Sequence, residues 1–202
     1  MTIRYKKFAD YAAYVKKQGG KISFALENIL AKCEARIKGF KKIFIEYQHD
    51  LVPGKILCLG ARTGCEVQAA RQAGFKGSIG IDLHPVGDLV VKGDWHDIPF
   101  PDNSFHNVYC NSLDHCMDIE KLVNEIKRVL VSDGIFFFMT MNKQALSTVI
   151  GSIEDRMTSR AYDSMFWDTE NDIIDAFISS GFVLKKTRQD TKWFYCLLRN
   201  KQ

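Results

Sequence analysis

The sequence predicts an α/β protein, a Rossmann-like, doubly wound, mostly parallel seven-stranded sheet with a C-terminal antiparallel strand pair and N-terminal helices. Three observations predict it. From Lys55 onward, short apolar runs alternate with helical patterns, as they do when parallel strands are joined by crossover helices. A glycine-bearing turn, Gly60-Ala61-Arg62-Thr63-Gly64, separates the first run from the first of those helices. The next two runs lead into aspartates, Asp82 and Asp94.

The elements follow in order. Residues 1–50 read as a helical cap segment and residues 51–202 as the Rossmann-like domain. Phe8, Tyr11, Ala12 and Val15 recur at helical spacing. Gly19-Gly20 is expected to break that helix, and Ser23 to cap a second one with Leu26, Ile29, Leu30, Cys33 and Ile37 on one face. Strands are expected over 56–59, 78–81, 89–91, 105–110 and 135–139. Helices are expected over 66–73, after the cap Asp118 with Leu122, Ile126, Val129 and Leu130 inward, and from Thr169 through Ile178. Residues 142–168 read as irregular, and 182–186 with 193–198 as the antiparallel pair.

Composition sets the broad class. In 202 residues, 46% are hydrophobic and 26% charged, which fits one globular unit and excludes a disordered chain. The most apolar run, 134–141, is too short to span a bilayer as a helix. The opening MTIRYKKFADYAAYVKK lacks the apolar stretch of a secretory signal, so a cytoplasmic protein is expected. The six cysteines, at 33, 58, 65, 110, 116 and 196, form no C-x-x-C pair, which argues against a zinc site. They are expected to be small, reduced core residues. Residues 1–50 hold 11 Lys/Arg against 5 Asp/Glu, a basic segment that suits an anionic partner or the solvated face of packed helices. Oligomeric state is not legible.

In open α/β sheets ligands bind at the carboxyl ends of the strands, so the chemistry is sought there. Glycines in the 60–64 turn let the backbone approach a ligand, and the next helix offers free N–H groups. Asp82, 22 residues after Gly60, can hold both hydroxyls of a ribose. These two features serve dinucleotide enzymes equally well.

The run Gly93-Asp94-Trp95-His96-Asp97-Ile98-Pro99-Phe100-Pro101-Asp102-Asn103-Ser104-Phe105 is more specific. With the strand that follows it, Asp114-His115, and the helix ending Glu125-Ile-Lys-Arg-Val-Leu130, it resembles the class I S-adenosylmethionine-dependent methyltransferases, in their type 11 branch. The resemblance covers roughly residues 50–140 well and 165–200 in outline. It implies that Gly60, Ala61, Arg62 and Gly64 line the methionine part of the cofactor. It places Asp82 on the ribose and Leu83 against the adenine. It puts Asp94 on the adenine amino group, the Trp95 backbone beside the ring, and Asn111 beside the sulfonium. Two residues depart from the pattern: Cys58 stands where the family commonly has an acid, and Arg62 where it has a glycine.

The expected activity is methyl transfer from S-adenosylmethionine to a small-molecule acceptor. Positioning and desolvation would carry most of the catalysis, because the donor is already activated. Arg62 is expected to pair with the cofactor carboxylate or with Glu66, one helical turn on. His115 is the candidate base, with Asp114 and Asp118 near it in sequence; His84 and His96 are weaker candidates. Tyr162, Met165, Phe166 and Trp167 are candidates for the acceptor wall or for core packing. The rival readings are a cofactor-binding module without turnover, suggested by Cys58 and Arg62, and an NAD-dependent oxidoreductase, disfavoured by the absence of a full G-x-G-x-x-G. A nucleic-acid methyltransferase is suggested only by the basic N-terminus, and no Asn/Asp-Pro-Pro-aromatic tetrapeptide supports it.

Overall fold

The computed structural model describes residues 3–142, 153, 157 and 163–202, and only the backbone of 21–26, 28 and 29. Its strands are β1 (Arg4–Tyr5), β2 (Ile56–Leu59), β3 (Ile79–Asp82), β4 (Val90–Lys92), β5 (Phe105–Cys110), β6 (Leu130–Met141), β7 (Met165–Phe166), β8 (Phe182–Gln189) and β9 (Trp193–Asn200). Its helices are α1 (Tyr11–Ala31), α2 (Cys33–Glu46), α3 (Cys65–Gln72), α4 (Ile119–Val129) and, here, α5 (Glu170–Ser179).

Ile-Leu-Cys-Leu of β2 is apolar throughout because protein covers it on every side. Leu57 faces Ile79 of β3 and Val108 of β5, both in parallel register. The full order is β4-β3-β2-β5-β6-β9-β8. Only β9 runs against the rest, inserted between β6 and β8, with Cys196 opposite both Phe138 and Thr187. The expected seven-stranded, mostly parallel sheet with its C-terminal antiparallel pair is therefore present.

Each face of the sheet packs a layer of helices. On one side Leu122 and Ile126 of α4 and Phe177 of α5 meet Phe136 and Phe138, with Phe136 and Phe177 stacked at 4.6 Å. On the other, Phe40 and Phe44 of α2 and Val67 of α3 meet Tyr109 and Phe137, with Phe44 edge-on to Tyr109 at 5.0 Å. Each such side chain taken from water contributes about 1.5–3 kcal/mol. Asp118 caps α4 by accepting from the Lys121 N–H at 3.0 Å, as expected.

The N-terminal segment differs from expectation in three ways. The helix does not break at Gly19-Gly20 but runs through them to Ala31, and the interruption falls at Lys32. Glycine costs about 1 kcal/mol inside a helix without forbidding it. At Gly19 a Cβ would stand 3.0 Å from the His84 ring, so close packing uses the missing side chain. Ser23 thus lies inside the helix, its side chain outside the described residues. Arg4–Tyr5 is a strand, paired antiparallel with Met165–Phe166.

That pairing also relocates part of the expected acceptor wall. Met165, Phe166 and Trp167 are buried in the core and do not line the cavity described below. Tyr162 lies outside the described residues.

Cys33 and Cys65 form a disulfide, with Cα atoms 6.1 Å apart, joining the start of α2 to the start of α3. This corrects the expectation that all six cysteines are reduced. A 32-residue separation gave no sign of the pairing, which arises because α2 folds back onto α3. Cys58, Cys110, Cys116 and Cys196 are free and buried, as expected.

Candidate functional site

The order of the sheet reverses between β2 and β5. The connections leaving the two strands part there, and a cavity of about 760 Å³ opens beyond their carboxyl ends. Its size and position suit a drug-sized ligand. Gly60, Ala61 and Arg62 reach it from the turn after β2, Asp82 and Leu83 from the end of β3, Asp94 and Trp95 from beyond β4, and Asn111 and His115 from beyond β5. The fold thus brings together nine of the ten residues expected from sequence. Gly64 stays outside: it ends the turn with φ +71°, and a Cβ there would lie 2.9 Å from Leu89.

Gly60 is required for a different reason. It has φ +66°, and a Cβ would stand 2.4 Å from the Ser112 hydroxyl. Arg62 also has a positive φ, +25°, where most members of a glycine-bearing turn avoid a side chain. Its backbone N–H donates to Asp82 at 3.2 Å, and its Nε lies 3.6 Å from the other Asp82 oxygen. One guanidinium N–H reaches the Gln18 carbonyl on α1 at 3.5 Å. The expected alternative, an Arg62–Glu66 pair, is absent. Glu66 pairs instead with Arg36 of α2, at 2.9 Å. The 60–64 turn aims the Arg62 side chain toward β3, while Arg36 reaches Glu66 from the facing helix.

Asp82 also accepts from the His84 N–H at 2.8 Å, so both its oxygens are oriented by backbone. Asp94 accepts twice from His96, through N–H and Nδ1, each at 2.9 Å, and once from the Tyr11 hydroxyl. Burial opposes its charge, yet the His96 and Tyr11 hydrogen bonds hold the Asp94 carboxyl below the usual range. His84 and His96 serve these contacts, and His84 Nε2 also meets the Val15 carbonyl at 3.1 Å. Together with Tyr14 and Gln18, which line the cavity, these bonds lay α1 across its mouth.

The loop carrying Asp94 is fastened from behind. Arg128 makes two parallel bonds to Glu125, each 2.7 Å, and donates to the carbonyls of Ile98 and Phe100, each at 2.8 Å. Glu125 in turn accepts from the Ile98 N–H at 2.6 Å. The Pro-Phe-Pro stretch is thereby tied to α4, which explains why Glu125 and Arg128 travel with that loop in the motif.

His115 lines the cavity from a 3₁₀ turn, Leu113–His115, whose last carbonyl accepts from Tyr14 at 2.8 Å. Side-chain atoms of Asp114, His115 and Asp163 lie within 4.8 Å of one another. Of the two carboxylates expected near His115, Asp114 is there and Asp118 is committed to capping α4. Asp163 takes its place, brought in where the Ser164 N–H donates to the Asp114 carbonyl at 2.6 Å, and invisible at 48 residues' distance. Sequence reasoning also missed Arg36, Phe40, Ile43, Glu66, Met139 and Trp193 on the wall, since no local pattern marks residues that converge from separate elements.

Residues 57–138 match the family model described as a methyltransferase domain. Over those residues the chain is similar to methyltransferase domains. The match spans β2 through most of β6, the part that carries the turn after β2 and the ends of β3 and β5. A malonyl-[acyl-carrier protein] O-methyltransferase of Halorhodospira halophila is 27% identical over 146 residues, covering 65% of this chain and 49% of that protein. The chain therefore spans about half the length of that curated relative. Among solved structures, the PH0226 protein of Pyrococcus horikoshii OT3 aligns at TM-score 0.67 and 15% identity, covering 83% of this chain and 91% of the other. An S-adenosylmethionine-dependent methyltransferase from Mesorhizobium loti aligns at TM-score 0.62 and 17% identity, covering 81% and 99%. These likenesses establish the Rossmann-like methyltransferase fold. No helix of the described residues is long and apolar enough to cross a membrane.

Proposed function

We propose that the methyltransferase domain binds S-adenosylmethionine and passes its methyl group to a small-molecule oxygen or nitrogen acceptor. The observation that carries this reading is the placement of Asp82 and Asp94 at adjacent strand ends, opening on one cavity with Gly60. The residues fit the cofactor. Gly60 lines the cavity at φ +66°, where a side chain would be strained and would collide with Ser112, so the turn presents bare backbone beside the ligand space. Asp82 would accept from the ribose hydroxyls and Asp94 from the adenine amino group, with Leu83 and Trp95 against the ring. Ala61, Arg62 and Gly64 shape the turn at the methionine end, and Asn111 stands beside the sulfonium position. When bound, the cofactor supplies a methyl group activated by positive sulfur.

The chain's own task is then to orient, exclude water and take up a proton. Phe40, Ile43, Met139 and Trp193 form an apolar part of the wall, suited to the carbon frame of an acceptor. His115 would accept the acceptor's proton, a role supported by its position on the cavity wall with Asp114 and Asp163 beside it to stabilise an imidazolium. Nucleic acid is not the proposed acceptor, and the cytoplasm expected from the sequence is not carried into the proposal. The Cys33–Cys65 bridge argues against that compartment, where thiols are kept reduced.

The test is incubation with methyl-labelled S-adenosylmethionine and a small-molecule extract, followed by mass spectrometry. Label should appear in a small molecule, and His115→Ala should slow its appearance by about 10²–10⁴-fold, the usual worth of a general base. Cofactor bound without any label transferred to small molecule, protein or nucleic acid would favour the binding module. Cys58 and Arg62, the two departures from the motif, are the observation on its side.

A further inference from the structure

Glu66 lies in the first turn of α3 and lines the same cavity, with only 3% of its surface exposed. Its Oε1 accepts from Arg36 Nη2 at 2.9 Å and from Asn111 Nδ2 at 3.2 Å. Its Oε2 is buried and has no hydrogen-bond partner. Leaving a charged oxygen in that condition is costly, more so than for a neutral group, and buried polar atoms in native proteins are normally satisfied. Burial pushes the Glu66 carboxyl up, against the pull of Arg36, of its own backbone N–H and of Asn111.

The position of this oxygen identifies its donor. Asp82 and Asp94 mark the end of the cavity toward β3 and β4. Glu66 marks the other end, above β2 and β5, with Asn111 at its side and Cys58 below. The Cys58 thiol is wholly buried, and burial raises it well above its usual range, so it is neutral and offers no anion. Glu66 is thus the carboxylate available to that end of the cavity, and it faces inward with one oxygen free.

We propose that Glu66, held in place by Arg36 and Asn111, receives the α-ammonium of the cofactor's amino-acid end on Oε2. Cys58 on β2 offers no anion, and the carboxylate at this end comes instead from the first turn of α3, oriented by Arg36 of α2. This assignment rests on the S-adenosylmethionine reading above. An ammonium satisfies the orphan oxygen and offsets the cost of burying the charge, which a neutral ligand end does not.

Calorimetry with three ligands tests it: S-adenosylhomocysteine, its analogue lacking only the α-amino group, and 5′-methylthioadenosine, which lacks the amino-acid end. The wild-type protein should bind the deaminated analogue about 10–100-fold more weakly than S-adenosylhomocysteine, the scale of a hydrogen bond to a charged group. Glu66→Gln should lose a similar factor for S-adenosylhomocysteine and keep its affinity for methylthioadenosine within a few-fold, which also shows that the variant is folded. Equal wild-type affinity for the aminated and deaminated ligands overturns the assignment without any variant. So does a Glu66→Gln protein weakened equally toward S-adenosylhomocysteine and methylthioadenosine, the mark of a residue that only holds α2 to α3. A wild-type protein that binds none of the three overturns the cofactor reading itself, and this assignment with it.

Discussion

The Arg62 guanidinium stands 3.6 Å from the Asp82 carboxylate, whose opposite oxygen accepts from the Arg62 backbone N–H at 3.2 Å. The residue that departs from the usual glycine is therefore coupled to the residue assigned to the ribose. Asp82 is 8% exposed, so its charge is poorly solvated and gains from the neighbouring cation.

Asp82→Ala should weaken S-adenosylhomocysteine binding by about 1.5–3 kcal/mol, the worth of hydrogen bonds to a charged acceptor. If Arg62 acts through Asp82, Arg62→Ala added to Asp82→Ala should cost little more than Asp82→Ala alone. A double-mutant cycle read by calorimetry then gives a coupling of about 1 kcal/mol or more. Additive losses would mean that Arg62 meets the ligand independently, for instance through the cofactor carboxylate.

The Glu125–Arg128 fork should matter for stability and for binding together. Arg128→Ala leaves the Ile98 and Phe100 carbonyls without their donor, and should lower unfolding stability by about 2–3 kcal/mol. Because the fastened loop carries Asp94, affinity for S-adenosylhomocysteine should fall as well. Denaturant unfolding and calorimetry on one preparation check both. A stability loss with unchanged affinity would show that the loop holds its shape without the fork.

The same fork predicts an acid limb. Hydrogen bonds from Arg128 hold the Glu125 carboxyl below the usual range, against its burial. A carboxyl with a depressed folded value contributes stability that is present above the ordinary glutamate range and lost as pH falls through the folded value. Glu125→Gln should accordingly flatten the fall in melting temperature on acidification. An unaltered acid limb would assign that loss to other carboxylates.

The Cys33–Cys65 bridge should contribute about 2–4 kcal/mol by restricting the unfolded chain. Cys33→Ser, or wild-type protein in reductant, should unfold at correspondingly lower denaturant. Since Cys65 follows Gly64 directly, the loss should be accompanied by weaker cofactor binding. Identical midpoints with and without reductant, together with six titratable thiols, would exclude the bridge.

The sheet was legible in the sequence because each strand is a short apolar run bounded by turn residues, and 56–59 and 105–110 have the expected limits. The part of the cavity wall at the strand ends was legible for a related reason. Gly60, Asp82, Asp94 and Asn111 sit at strand ends, so their positions follow from the sheet alone. What escaped depends on contacts between distant segments. Arg36 meets Glu66 and Cys33 meets Cys65 only because α2 packs on α3. Asp163 reaches His115 because the neighbouring Ser164 N–H donates to the Asp114 carbonyl at 2.6 Å. The Gly19-Gly20 pair was misleading because local propensity favours a break there, and packing against His84 outweighs it.

The central claim is that this cavity is built for S-adenosylmethionine, and titration of the purified protein with S-adenosylhomocysteine and, separately, NAD tests it most directly. The expected result is micromolar affinity for S-adenosylhomocysteine, about −7 to −8 kcal/mol, with no measurable heat from NAD. Saturable NAD binding with no response to S-adenosylhomocysteine would contradict it.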